Sequence, residues 1–292
     1  MTDKVRFPNP PLVLKAHRGG QGRGHRAGVL LMHGLGGSPA ELQPLTVELR
    51  AAGYAVSAPL IHGPGGGTDL DSETRWTDWV DTAKEHFDEL AKTCDTVHVC
   101  GFCGGALLAP LVAIARREKA GDLILISPTF NPDGWAVPRT FQLFKLVKHR
   151  WFARLFTFND REPYGIKDER VRTIVRQTLE RSHGPEERFF EVSGIKMMEF
   201  NRLARAAAKS LVEVEARRTL VLHAREDDVS SLANAERVAR KVPGRVEVRV
   251  IPDSFHEIIL DKNRGMAIQS VLSFLRSGVE FVDQVAVPRQ AG

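Results

Sequence analysis

Two cysteines three residues apart, Cys100 and Cys103, stand in the run VHVCGFCGGALLAPLVAIA that begins at Val97. An apolar strand, a glycine turn and an apolar helix can be read in it. A pair at this spacing suits three chemistries. A dithiol redox couple also sits between a strand and a helix. A zinc half-site needs about four ligands, and no second C-x-x-C or nearby H-x-x-x-H supplies the remainder. The third chemistry uses Cys103 alone. Gly101-Phe102-Cys103-Gly104-Gly105 is the G-x-S-x-G pattern with cysteine in place of serine. In that pattern the nucleophile sits on a strained strand-to-helix turn, and side chains on the flanking residues would collide with the neighbouring strand and helix. The helix N-terminus behind it favours negative charge on sulfur and on a reacting oxygen. On this reading Cys100 packs in the strand and Cys103 faces a pocket.

A nucleophile needs a base, and the base needs a partner that orients it. Both follow in the chain. REDDVSS, after the strand TLVLHA, offers Asp227 and the adjacent competitor Asp228. DSFHEIILD, after the strand VEVRVIP, offers His256. The order nucleophile, acid, histidine is the one such turns use. A redox couple alone accounts for neither of these segments, nor for the glycine motif HGLGG at His33.

The elements that must carry these residues alternate. Apolar runs at 28–33, 54–58, 97–100, 122–126, 219–223 and 246–251 read as strands. Helical spacing begins at Pro39 (Leu42, Leu45, Val47, Leu49), at Trp76, at Gly105, near Leu232 and near Arg264. Alternating strands and helices imply an α/β fold, a mostly parallel sheet covered on both faces. All three candidates then fall at the carboxyl ends of strands, where open α/β sheets place their chemistry. From 128 to 211 the rhythm changes to an aromatic, Arg-rich stretch with no clear strand. It reads as a helical cap insertion between two parts of one core, 1–127 and 212–292.

Together these segments resemble an α/β-hydrolase of the carboxylesterase and monoacylglycerol-lipase branch. HGLGG is similar to that branch's oxyanion loop, AREDDVSS to its acid turn and SFHEIILD to its histidine turn. The resemblance runs from about Gly28 to about Phe274 and is weakest in the insertion. It implies the α/β-hydrolase fold with a helical cap and a nucleophile, acid and base at Cys103, Asp227 and His256. It favours Asp227, three residues after Ala224, over Asp228. It also implies an oxyanion hole from the backbone of Leu35 and Gly104, and a substrate pocket at His33, Gly34 and Phe102, the His33 ring serving the turn itself. The departure is Cys103, since most of the branch uses serine. Dienelactone hydrolases carry G-x-C-x-G.

Cysteine shapes the expected reaction. A thiolate attacks readily and also leaves readily, so activated esters, lactones and thioesters are favoured over amides. The segment FQLFKLVKHRWFARLF (141–156) mixes apolar and basic residues, which suits either a core-facing cap or a rim for an acidic acyl carrier. No cofactor is called for. His62 reads as a brace near the pocket, His98 as a core residue and His223 as support for the acid turn. The 292 residues carry a net charge of +5 with basic side chains spread along the chain, without a nucleic-acid motif. No signal peptide or apolar run of about 20 residues is present. Three cysteines make no disulfide framework. The expectation is a cytoplasmic hydrolase acting on a small acyl ester or thioester; the alternatives are acyl transfer or thioester cleavage on carrier-bound acyl groups, and a non-catalytic binding protein of the same fold.

Overall fold

A computed structural model describes residues 26–61, 63, 74–138, 141–159, 163–174, 177 and 191–285. The apolar runs become the strands β1 (Ala27–Met32), β2 (Ala55–Ser57), β3 (Thr96–Phe102) and β4 (Ala120–Ile126). A two-stranded antiparallel ribbon, β5 (Thr157–Asn159) and β6 (Glu191–Ser193), follows in the intervening segment. The main sheet then resumes with β7 (Thr219–Ala224) and β8 (Val246–Ile251). Its order is β2-β1-β3-β4-β7-β8, and every neighbouring pair is parallel. The direction of chain progress reverses between β1 and β3. That is the kind of switch point where such sheets open a crevice at their carboxyl edge.

Alternation along the strands divides the core. Leu30 and Met32 of β1, Val97 and Val99 of β3 and Val221 of β7 face one layer. It contains α2 (Trp76–Ala91), α3 (Gly105–Ala115) and, later in the chain, α6 (Gly194–Ser210) and α7 (Ala233–Lys241), counted after the short α4 (Phe141–Phe144) and α5 (Arg150–Ala153). Val29, Leu31, Cys100, Ile124 and Leu222 face the opposite layer of α1 (Gln43–Ala51) and α8 (Arg264–Val285). A side chain of this kind, fully buried, contributes about 1.5–3 kcal/mol. Both faces are filled, so the strands read as continuous apolar runs. Val47 does not join this packing: it is exposed, because it lies about 200° round the helix from Leu45. His98 is a buried core residue whose Nδ1 accepts from Asp122 N at 3.0 Å.

The 128–211 segment differs from its expected all-helical form. It holds the β5–β6 ribbon as well as α4, α5 and α6. Three-residue strands are too short for period-two alternation to show in sequence. The long α6 serves two layers. Ile195 and Met198 pack with Phe144 and Ala153, whereas Phe200, Leu203, Ala204 and Ala207 pack into the main core. Among the described residues, no helix is long and apolar enough to cross a membrane. His62 lies outside the described residues.

Candidate active site

Cys103 stands just past β3 with φ at +51°, in the left-handed region that non-glycine residues rarely adopt. The flanking glycines make this turn possible. A Cβ on Gly101 would run into the Gly105 backbone, and one on Gly105 into the Met32 carbonyl. Strand, turn and helix can therefore meet only without side chains there. Cys103 N donates to Ile126 O at 2.9 Å, tying the turn to the end of β4. Cys103 lines the cavity, while Cys100 is buried in the layer beneath, where desolvation pushes its thiol far up. All three cysteines are free. Among the described residues, no cluster of three or more His, Cys, Asp or Glu side chains is arranged to hold a metal ion.

The histidine turn brings His256 to the same cavity. Its Nδ1 lies 3.0 and 2.8 Å from the two carboxylate oxygens of Asp227. That places the ring proton on Nδ1 and leaves Nε2 as the basic nitrogen. Nε2 is buried, and Cys103 stands close enough for both its charge and a side-chain hydrogen bond to favour an imidazolium. Burial opposes charge on the imidazole, but Asp227 and then Cys103 outweigh it and hold its pKa well above 6.5. Burial likewise opposes the Asp227 carboxylate. His256 overcomes this, and Asp227 stays below its ordinary range. Asp227 Oδ1 also accepts from Val229 N at 2.9 Å and Ser230 N at 2.7 Å.

Three residues that sequence reasoning left without a role hold this arrangement. Asp228, the expected competitor, does not reach the imidazole. Its carboxylate accepts from His256 N and Gly165 N, each at 3.1 Å, and so grips the backbone behind the ring. Ser127 Oγ donates to His256 O at 2.9 Å from the end of β4. The Asp-Asp doublet was a visible signal for the first; nothing in the spacing marks the second. Glu41, on the turn after HGLGG, lines the cavity and accepts from Gly34 N. His223 Nε2 donates to Ser230 O at 2.8 Å, and burial lowers its pKa, so it braces the acid turn as a neutral ring.

The HGLGG loop lies against the elbow: Leu35 N comes within 3.1 Å of where a Cβ on Gly104 would be. Gly34 and Phe102 line the cavity, and the Phe102 ring lies 5.3 Å from the His256 ring. His33 is not at the surface of the pocket. It is buried below the loop, its Nε2 accepting from Ile61 N at 3.0 Å.

The cavity measures about 770 Å³. Phe141, Phe144, Phe156, Phe158 and Phe200 supply much of its apolar wall. Among the described residues, Glu41, Asp228 and Glu257 are its acidic residues, and neither Lys nor Arg lines it.

A parallel sheet flanked on both faces, with an elbow after one strand and the histidine and acid after two later ones, defines the α/β-hydrolase fold. The chain belongs to the family described as serine aminopeptidase S33 (Hydrolase_4), whose model matches residues 23–263. It is 35% identical over 94 residues to a thermostable monoacylglycerol lipase of Bacillus sp. (strain H-257). That match spans 32% of this chain and only 38% of the relative's length. Among solved structures it is similar to one described for LipS and LipT, two metagenome-derived lipolytic enzymes. The identity is 22%, the TM-score 0.70, and the match covers 87% of this chain and 95% of the other. The monoacylglycerol lipase of Paleococcus ferrophilus gives 19% and 0.66, over 88% and 95%. At these identities the structural likeness is one of fold.

Proposed function

We propose that this protein is a carboxylic ester hydrolase working through Cys103, His256 and Asp227, on uncharged esters with an apolar acyl group. The observation that carries the reading is His256: oriented through Nδ1 by Asp227, it presents its buried Nε2 to a cavity that Cys103 also lines. Family membership and the lipolytic relatives support it.

The steps follow from the geometry. His256 Nε2 takes the Cys103 proton and sulfur attacks the acyl carbonyl carbon. The amides of Leu35 and Gly104 hold the resulting oxyanion, each such donor being worth roughly 3–4 kcal/mol. The C–O bond breaks, the alkoxide takes the proton from His256, and a thioester acyl-enzyme remains. Water then gives its proton to His256 and attacks the thioester. The C–S bond breaks, and the sulfur recovers the proton as the carboxylic acid leaves. The 128–211 segment acts as the cap over this chemistry, its phenylalanines forming the acyl wall. The wall formed by the described residues, which has no Lys or Arg among them, gives a substrate carboxylate no counter-charge. A thioester on an acidic carrier remains compatible with the same steps.

The test is intact-mass spectrometry after incubation with p-nitrophenyl and thioester substrates of graded chain length. A mass increase equal to the acyl group, mapped to Cys103, is expected. Cys103→Ala should lose both the adduct and turnover. Unchanged turnover in Cys103→Ala would remove Cys103 as nucleophile and the proposal with it.

A further inference from the structure

We propose that Glu41 is a positioning residue for the oxyanion amide of Leu35; this role rests on the acyl-enzyme reading above. Gly34 lies between His33 and Leu35, and both of its peptide groups are held. Its N–H donates to Glu41 Oε1 at 2.5 Å. Its carbonyl is 2.9 Å from His33 Nδ1 and accepts from Gly37 N at 3.3 Å. Because His33 Nε2 accepts from Ile61 N, Nδ1 is the nitrogen that carries the proton and donates.

The Gly34 carbonyl and the Leu35 N–H belong to one planar trans peptide and point in opposite directions. Anchoring the carbonyl to His33 therefore turns the Leu35 N–H outward, toward Gly104. That anchor fixes one peptide plane. The plane before it, which ends in the Gly34 N–H, is held by Glu41. The two planes join at a glycine Cα, the softest joint in a backbone. Both must be pinned for the amide to keep its aim.

Glu41 is built for this position. It sits half-buried on the short 3-10 turn Pro39–Leu42, which follows the loop directly, and its other oxygen lies against Gly37. The Gly34 Cα region separates it from the nucleophile: a Cβ placed there would stand 3.4 Å from Glu41 Oε1 and 3.1 Å from Cys103 Cβ. A carboxylate this near a developing oxyanion opposes it electrostatically. What the loop needs from Glu41 is an acceptor, and an amide oxygen supplies one without the charge.

The experiment compares Glu41→Ala and Glu41→Gln in the full chain with p-nitrophenyl butyrate. Glu41→Ala should lower kcat about ten- to a hundredfold, the scale of a misaimed group, with KM changed less than about threefold. Glu41→Gln should return kcat to within about threefold of the unsubstituted protein. A trifluoromethyl ketone, whose adduct carries the oxyanion, should bind more weakly to Glu41→Ala in step with kcat/KM. Alkylation of Cys103 by iodoacetamide, which forms no oxyanion, should keep its rate. Equal kcat in Glu41→Ala overturns the proposal. So does equal damage in Glu41→Gln, which would assign the effect to charge or proton transfer. A parallel fall in alkylation overturns it too, since Glu41 would then act on the thiol. If Glu41→Ala does not fold, Glu41→Met, which keeps the bulk without the acceptor, takes its place with the same expectations. Turnover surviving in Cys103→Ala would instead defeat the nucleophile assignment, separately from these outcomes.

Discussion

Adjacent aspartates do different work. Asp227 faces the ring of His256, and Asp228 faces its backbone. Asp227→Asn should therefore lower kcat by about 10²–10⁴-fold, because an amide can present its NH₂ group to Nδ1 and favour the wrong tautomer. In proton-detected histidine NMR, His256 should titrate well above 6.5 in the unsubstituted protein and move down in Asp227→Asn, which removes the largest favourable charge. Asp228→Asn should leave that titration well above 6.5 while lowering kcat by about tenfold through a looser histidine turn. Equal behaviour of the two variants would mean the roles are wrongly divided. That Asp227 and not Asp228 meets the His256 ring is what the family resemblance implied, by counting from Ala224. Asp228's grip was not readable, since it depends on two amides 28 and 63 positions away in the chain.

At the scale of elements, the elbow is the part that allows least change. The crossing of β3 and α3 leaves no room for a methyl group at Gly105, where the obstacle is the backbone of β1's end rather than a side chain that could swing aside. Gly105→Ala should cost at least about 2 kcal/mol in urea unfolding and should lose turnover even where the protein remains folded. Normal activity in a stable Gly105→Ala would contradict the packing described. The six strands and their flanking helices were legible from apolar runs and helical spacing, because both sheet faces are buried and little polar alternation interrupts them. The β5–β6 ribbon escaped notice for the opposite reason. Each of its strands has three residues, and their pairing joins segments more than thirty residues apart. Glu41 was equally hidden: one half-buried acid on a turn carries no spacing signal.

Charge distinguishes the interior of the whole molecule from its sum. The chain carries +5 overall, yet among the described residues its cavity is lined by acidic side chains without a Lys or Arg. An uncharged butyrate ester should be turned over with kcat/KM at least about tenfold above a hemisuccinate ester with the same leaving group. Preference for the charged ester would require a different acyl site. The pH dependence of stability follows from the Asp227–His256 pair. The depressed carboxylate contributes stability present above 3.8, its ordinary value, and lost as pH falls through its folded value. The raised imidazole contributes stability present below 6.5 and lost as pH rises through its folded value. Thermal melts should thus show a larger difference between the unsubstituted protein and His256→Ala from about pH 4 to 6.5 than at pH 10.

The strand order has a consequence in time. HGLGG follows β1, Cys103 stands just past β3, and Asp227 and His256 follow β7 and β8. During refolding, β1 to β4 can collapse with Trp79 of α2 already buried in the layer against them, while the acid and histidine wait on two further crossovers. Tryptophan fluorescence should recover before turnover does, and the delay measures how long the newly collapsed chain remains inert.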